Sequence, residues 1–164
     1  FGISADTLAK SPLARLAITY PLGIKITELD EYLIRSPLRV DTEGAITCAA
    51  SIPEGSEIRL MIGSRDRALA AASDASRYAM KEFENKKSKP KFVLLFDCAS
   101  RRKLFGQRAK DELDAIADII GRDVPMIGFY AYGGQAPIGG DTLETKKIIP
   151  RFFNEAVVVL AIGE

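Results

Sequence analysis

Histidine and tryptophan are missing from the sequence altogether. The first absence removes the side chain that most often serves as a general base near neutral pH. It also removes a common metal ligand. With only two cysteines, Cys48 and Cys98, far apart in the chain, no zinc or iron–sulfur spacing exists, and neither a metal nor another cofactor is expected. An excess of one charge is missing too. The 23 basic and 22 acidic side chains nearly cancel, which argues against a dedicated nucleic-acid surface. Long hydrophobic runs are absent. The longest, near 156–162, falls far short of the roughly 20 residues of a membrane span. The two cysteines read as free thiols of a cytoplasmic protein, not bonded to each other. The chain starts at Phe1 rather than Met and has no signal-peptide pattern, as expected of a piece of a longer protein.

What is present is ordinary globular composition, with 47% hydrophobic and 27% charged residues in a chain of 164, long enough for one sizeable core. Residues 1–15 read as a linker or docking arm, and 16–164 as a single domain. In "RLAITYPLGI", Leu16, Ile18 and Tyr20 share a parity, as in a half-buried strand stopped by Pro21 and Gly23. "EYLIRSPLRV" is a strand bent or placed at an edge by Pro37. "DTEG" and "IPEG" are turns before "AITCAAS" and "EIRLMIG", so the first third is expected to be an antiparallel meander.

At Ser64, a candidate N-cap, the period changes. Leu69, Ala72, Ser76, Ala79 and Phe83 mark one face of a helix, which "NKKSKP" ends in a solvated basic loop. "KFVLLFDCAS" reads as a strand buried on both faces. "GQRAKDELDAIADIIGRD" is a second helix with Ala109, Leu113, Ile116 and Ile120 inward and Gly121 at its C-terminal end. "VPMIGFYAY" and "EAVVVLAIG" are the last strands, with a long loop over 133–154 before the final one. The expected fold is therefore α+β: a mixed, largely antiparallel sheet with two main helices packed on it.

Chemistry is sought at the carboxyl ends of the two strands flanking the second helix. If that helix is a crossover, the two ends share one edge, where crevices form. There "CASRR" offers backbone N–H groups, the Ser100 hydroxyl and a guanidinium, a set suited to a carboxylate or phosphate, or else to solvated charges around a turn. Cys98 is either a reactive thiol or a small core residue. Tyr130 and Tyr132 lie on one face of "GFYAYGG", lining a pocket or packing under a helix. Gly133 and Gly134 permit positive φ and close approach by a ligand, or make a turn. The acidic pairs Asp111 with Glu112 and Glu28 with Asp30 fall on expected surfaces, so no carboxylates stand out for acid/base work. "GQAPIGG" lacks the lysine of a Walker loop and the helix of a dinucleotide fingerprint. On this reading Arg101 and Tyr132 approach one cavity, and Arg101→Ala abolishes binding of an anion at little cost in stability.

The ordered set "YPLGI", "YLIRSPLRVDTEGAITCAASIPEGSEIRLMIG", "LLFDCASRRKLFG", "VPMIGFYAYGGQAP" and "FFNEAVVVLAIGE" resembles the C-terminal domain of the FIST family, the F-box and intracellular signal transduction proteins, over residues 16–164. The resemblance implies a non-catalytic sensory module. It implies a small ligand, an amino acid or small carboxylate, and a companion N-terminal FIST domain or signalling output domain in the parent protein. By position it places ligand-binding residues at Cys98, Arg101, Tyr130, Tyr132, Gly133 and Asn154. The sequence departs from the family where glutamate is usual (Gly134), where histidine is frequent (Phe153) and where threonine is usual (Ala156). A protein-interaction scaffold that docks a companion domain or partner is the alternative, which an open apolar sheet face would favour. A thiol-dependent enzyme is weaker, because no histidine is present to activate Cys98.

Overall fold

In the computed structural model, residues 4, 6–7, 13–26, 31–137 and 150–163 are described. They divide into two compact units, 1–64 and 65–164. The turns and strands expected in the first third are largely realised, with one correction at its start. Where parity suggested a strand, residues Ala14–Thr19 form a short helix, α1. Ala17 N–H donates to the Leu13 carbonyl at 2.9 Å and Tyr20 N–H to the Leu16 carbonyl at 2.7 Å. The helix buries Leu13 and Ala17 rather than Leu16, Ile18 and Tyr20, and Pro21, which disfavours a helical Tyr20, ends it. The pair Glu28 and Asp30 lies outside the described residues, as does most of the expected arm.

Five strands follow in the first unit: β1 (Leu22–Ile26), β2 (Glu31–Arg35), β3 (Pro37–Val40), β4 (Ile46–Cys48) and β5 (Ile58–Leu60). They are antiparallel but not one meander. β1 is central, with β2 on one side and β5 on the other, while β3 and β4 pair separately. The bend expected at Pro37 is where the chain leaves one sheet for the other. The β3–β4 turn is closed by Asp41, whose carboxylate accepts from Glu43 N–H at 3.0 Å and Ala45 N–H at 2.8 Å. Leu13, Ala17, Ile24, Ile26 and Leu33 are buried in this unit.

The second unit begins with helix α2 (Arg65–Lys86), one residue after Ser64. Strand β6 (Pro90–Cys98), helix α3 (Ala99–Phe105), a 3-10 turn at Gly106–Arg108 and helix α4 (Ala109–Ile120) lead to β7 (Met126–Ala131). The sheet order is β10-β6-β7, with β10 (Val157–Gly163) antiparallel to β6 and β7 parallel to it. The sheet is thus mixed, as expected for this α+β fold, and the β6 and β7 carboxyl ends share an edge. Gly121 ends α4 with φ 118°, and its N–H donates to the Ala117 carbonyl. The long segment before the last strand holds β8 (Gly134–Ala136) and β9 (Arg151–Phe153), paired antiparallel. Its remainder, 138–149, lies outside the described residues.

Two faces of the β10-β6-β7 sheet differ sharply. One packs under the helices: Val93 and Leu95 join Ala72 of α2 and Ile116 and Ile120 of α4 in the core. The other carries Phe92, Leu94 and Phe96 of β6, Ile127 and Phe129 of β7 and Leu160 of β10, all apolar, placed together by the strand register. Phe96 and Phe129 meet edge to face at 5.4 Å. Ile127 is 68% exposed and Phe129 60%. The expectation that β6 is buried on both faces is therefore corrected, because both helices lie on the same side.

Candidate functional site

Alternation along β6 puts Asp97 on the same face as Val93 and Leu95, under the helices rather than toward water. Beyond the strand end, α3 carries Arg101 back over that carboxylate, one helical turn later. Glu112 enters from α4, in line with Ile116 and Ile120 at four-residue spacing. Asp97, Arg101 and Glu112 are all buried. This corrects two expectations: Glu112 is not on the surface, and Leu113, at 44% exposure, is not inward. The helix turns Glu112, Ile116 and Ile120 inward, so that Glu112 pairs the buried Arg101 guanidinium.

The bonds of this cluster are specific. Arg101 Nε donates to Glu112 Oε1 at 2.8 Å, and Nη2 donates to the same oxygen. Nη2 also donates to the Ala68 carbonyl of α2 at 2.8 Å, and Nη1 to the Glu155 carbonyl in the β9–β10 turn at 3.4 Å. One guanidinium thus ties α2, α4 and the β9–β10 turn to α3, with its carbon 5.8 Å from the centre of the buried Phe105 ring. Asp97 Oδ1 lies 3.4 Å from Arg101 Nε. That nitrogen has a single hydrogen, and Glu112 takes it. Asp97 Oδ1 is accordingly buried without a hydrogen-bond partner.

Charge follows geometry. Burial pushes the Asp97 carboxyl up to about 7, the nearby Glu112 charge adds to this, and Arg101 opposes it. Tyr130 is the register partner of Asp97 across the parallel pair and is 44% exposed, so it stands between the buried cluster and solvent. Its hydroxyl is pushed up by burial and then by Asp97 and Glu112, with Arg102 acting the other way.

The residues inferred from sequence fall unevenly around this cluster. Cys98 closes β6, is buried, and its N–H donates to the Ala156 carbonyl at 3.0 Å. Asn154 is buried one residue before Glu155, whose φ of 58° puts a non-glycine residue in the left-handed region. Cys98, Arg101, Tyr130 and Asn154 therefore gather at the strand ends. Gly133 has no positive φ; its bare Cα is covered by Phe152, whose Cζ would sit 2.3 Å from an added Cβ. Gly134 likewise has no positive φ, so the conformational freedom expected of this pair is not used. Tyr132 is 91% exposed while Arg101 is 5% exposed. Gly134 and Phe153, two of the positions where the sequence was expected to depart from the family pattern, are direct partners in the β8–β9 register. The cysteines are free, as expected.

Sequence reasoning missed Asp97 and Glu112. The signals were present: Val93, Leu95 and Asp97 alternate, and Glu112, Ile116 and Ile120 repeat every four residues.

The family model of the FIST C domain matches residues 4–137. The chain belongs to that family, a domain of signal-transduction type. No curated protein and no solved structure matches it. No helix among the described residues is long and apolar enough to cross a membrane.

Proposed function

We propose that this FIST C domain is a non-catalytic sensory module of an intracellular signalling protein, binding a small amino acid or carboxylate-bearing ligand at the carboxyl ends of β6 and β7. The observation that carries the reading is the buried Asp97–Arg101–Glu112 cluster beneath a half-exposed Tyr130. A buried carboxyl whose pKa is raised by burial and a like charge, beside a partly exposed tyrosine at the strand ends, is the arrangement from which functional sites are built. Cys98, Arg101, Tyr130, Tyr132, Gly133 and Asn154 are its proposed residues. Arg101 acts as the organiser, and the tyrosines meet the ligand. The Gly134–Phe153 pair makes one wall less polar than in the family pattern, so the ligand differs from that of family members with the polar pair. The burial of Cys98, 4% exposed, supports the non-catalytic reading, because a nucleophilic thiol has to be reached by its substrate.

A thermal-shift screen of amino acids and small carboxylates on the protein tests this. A ligand at 100 times its Kd stabilises the folded state by about 2.7 kcal/mol. Tyr130→Ala should remove the shift. A screen in which no compound of either class shifts the melting curve overturns the proposal.

The open sheet face supports a second reading, a scaffold that docks a companion N-terminal domain. An apolar surface of this kind is unusual on a monomer without a partner. Phe129→Asp should then abolish association with that companion domain in a titration, and unchanged association would remove the reading.

A further inference from the structure

Arg101 is the natural first choice as an anchor for an anionic ligand, but four of its five N–H hydrogens are directed elsewhere. Nε and Nη2 serve Glu112, Nη2 also serves Ala68, and Nη1 points to the Glu155 carbonyl. What Asp97 Oδ1 lacks is a donor. Two carboxylates share one guanidinium, and Asp97 Oδ1, on a residue 9% exposed, receives no hydrogen. The Arg101 Nε hydrogen that lies nearest to it belongs to Glu112.

We propose that the site takes its ligand by a primary ammonium group, which donates to Asp97 beside Tyr130. This rests on the ligand-binding reading above and reverses the polarity of the anchoring contact. A neutral hydroxyl would supply the missing hydrogen but leave one excess negative charge in a low-dielectric site. An ammonium supplies both. The groups acting on Asp97 are Glu112 from α4, by its charge and by a side-chain hydrogen bond, Arg101 from α3 and the backbone of Cys98, and Tyr130 from β7 feels Asp97 in turn. Tyr130 feels Asp97 and Glu112 against Arg102, with burial acting in the same direction as the carboxylates. The ammonium replaces the proton that Asp97 otherwise holds, so ligand and proton compete for one oxygen.

The test uses the whole chain and three probes of equal length: butylammonium, butanol and butyrate, titrated by calorimetry at several pH values. Butylammonium should bind at pH 8 and weaken as pH falls below about 7, approaching tenfold per unit, with a proton released on binding in that range. Asp97→Asn, close in shape and free of the excess charge, should weaken it at least tenfold. Butyrate binding while butylammonium does not would overturn the inference and leave the strand-end site standing. Butylammonium binding that ignores both pH and Asp97→Asn would also overturn it. Silence from all three probes, together with silence in the amino-acid and carboxylate screen, would overturn the inference and the site alike.

Discussion

Truncating Arg101 would leave Asp97 and Glu112 facing each other in a buried site, with the Ala68 and Glu155 carbonyls stripped of their donor. Breaking a buried charge network by removing one partner costs about 3–5 kcal/mol. Arg101→Ala should therefore lower the urea midpoint by a corresponding amount, the opposite of the small effect expected from sequence. A loss under 1 kcal/mol would mean the network is not formed. The pH dependence follows from Asp97. Its folded value, about 7, lies above an unfolded value near 3.9, so folding favours the protonated form. The resulting stability is fully present below about pH 4 and is lost as pH rises through about 7, a change of no more than about 4 kcal/mol. Asp97→Asn should flatten this slope between pH 4 and 7 in denaturation curves; a slope unchanged by the substitution would assign it to another group. Neither residue was legible as buried, because charged side chains are ordinarily placed outside a core unless paired, and pairing across α3, α4 and β6 is a tertiary fact.

Elements were more legible than faces. Both main helices, the parallel crossover and the Gly121 end of α4 could be read from period and breaker residues. The inward face of α4 could not, since Leu113 and Glu112 are neighbours and hydrophobicity alone favours the leucine. With Leu113 44% exposed and Ile116 fully buried in the core, the mutational expectation changes. Ile116→Ala should cost about 2–5 kcal/mol through lost transfer energy and a residual cavity. Leu113→Ala should cost less than about 1 kcal/mol. Chemical denaturation of the two variants checks the register of the helix, and the reverse order would restore the face inferred from sequence. The first expected strand failed for a different reason. Three alternating positions, Leu16, Ile18 and Tyr20, are too few to separate a period of two from a single helical turn.

At the scale of the molecule, the question is whether residues 16–164 act as the single domain proposed from sequence. The first unit, 1–64, has a modest apolar core in Leu13, Ala17, Ile24, Ile26 and Leu33, and it leaves Leu38, Ile46, Ile58, Leu60 and Ile62 exposed. A chain of about 60 residues buries only some 60% of its unfolded surface and is marginal by itself. The second unit has a complete helix-on-sheet core and the charged cluster. If the proposal of one domain holds, the first unit gains its stability from cooperative unfolding with the second. Calorimetry should then show one transition, with equal van't Hoff and calorimetric enthalpies. Arg101→Ala, placed in the second unit, should lower the melting of the first unit by the same amount, read from amide exchange in β1 and β2. Two transitions, or β1 and β2 amides indifferent to Arg101→Ala, would make the chain two domains and confine the effect of the strand-end site to residues 65–164.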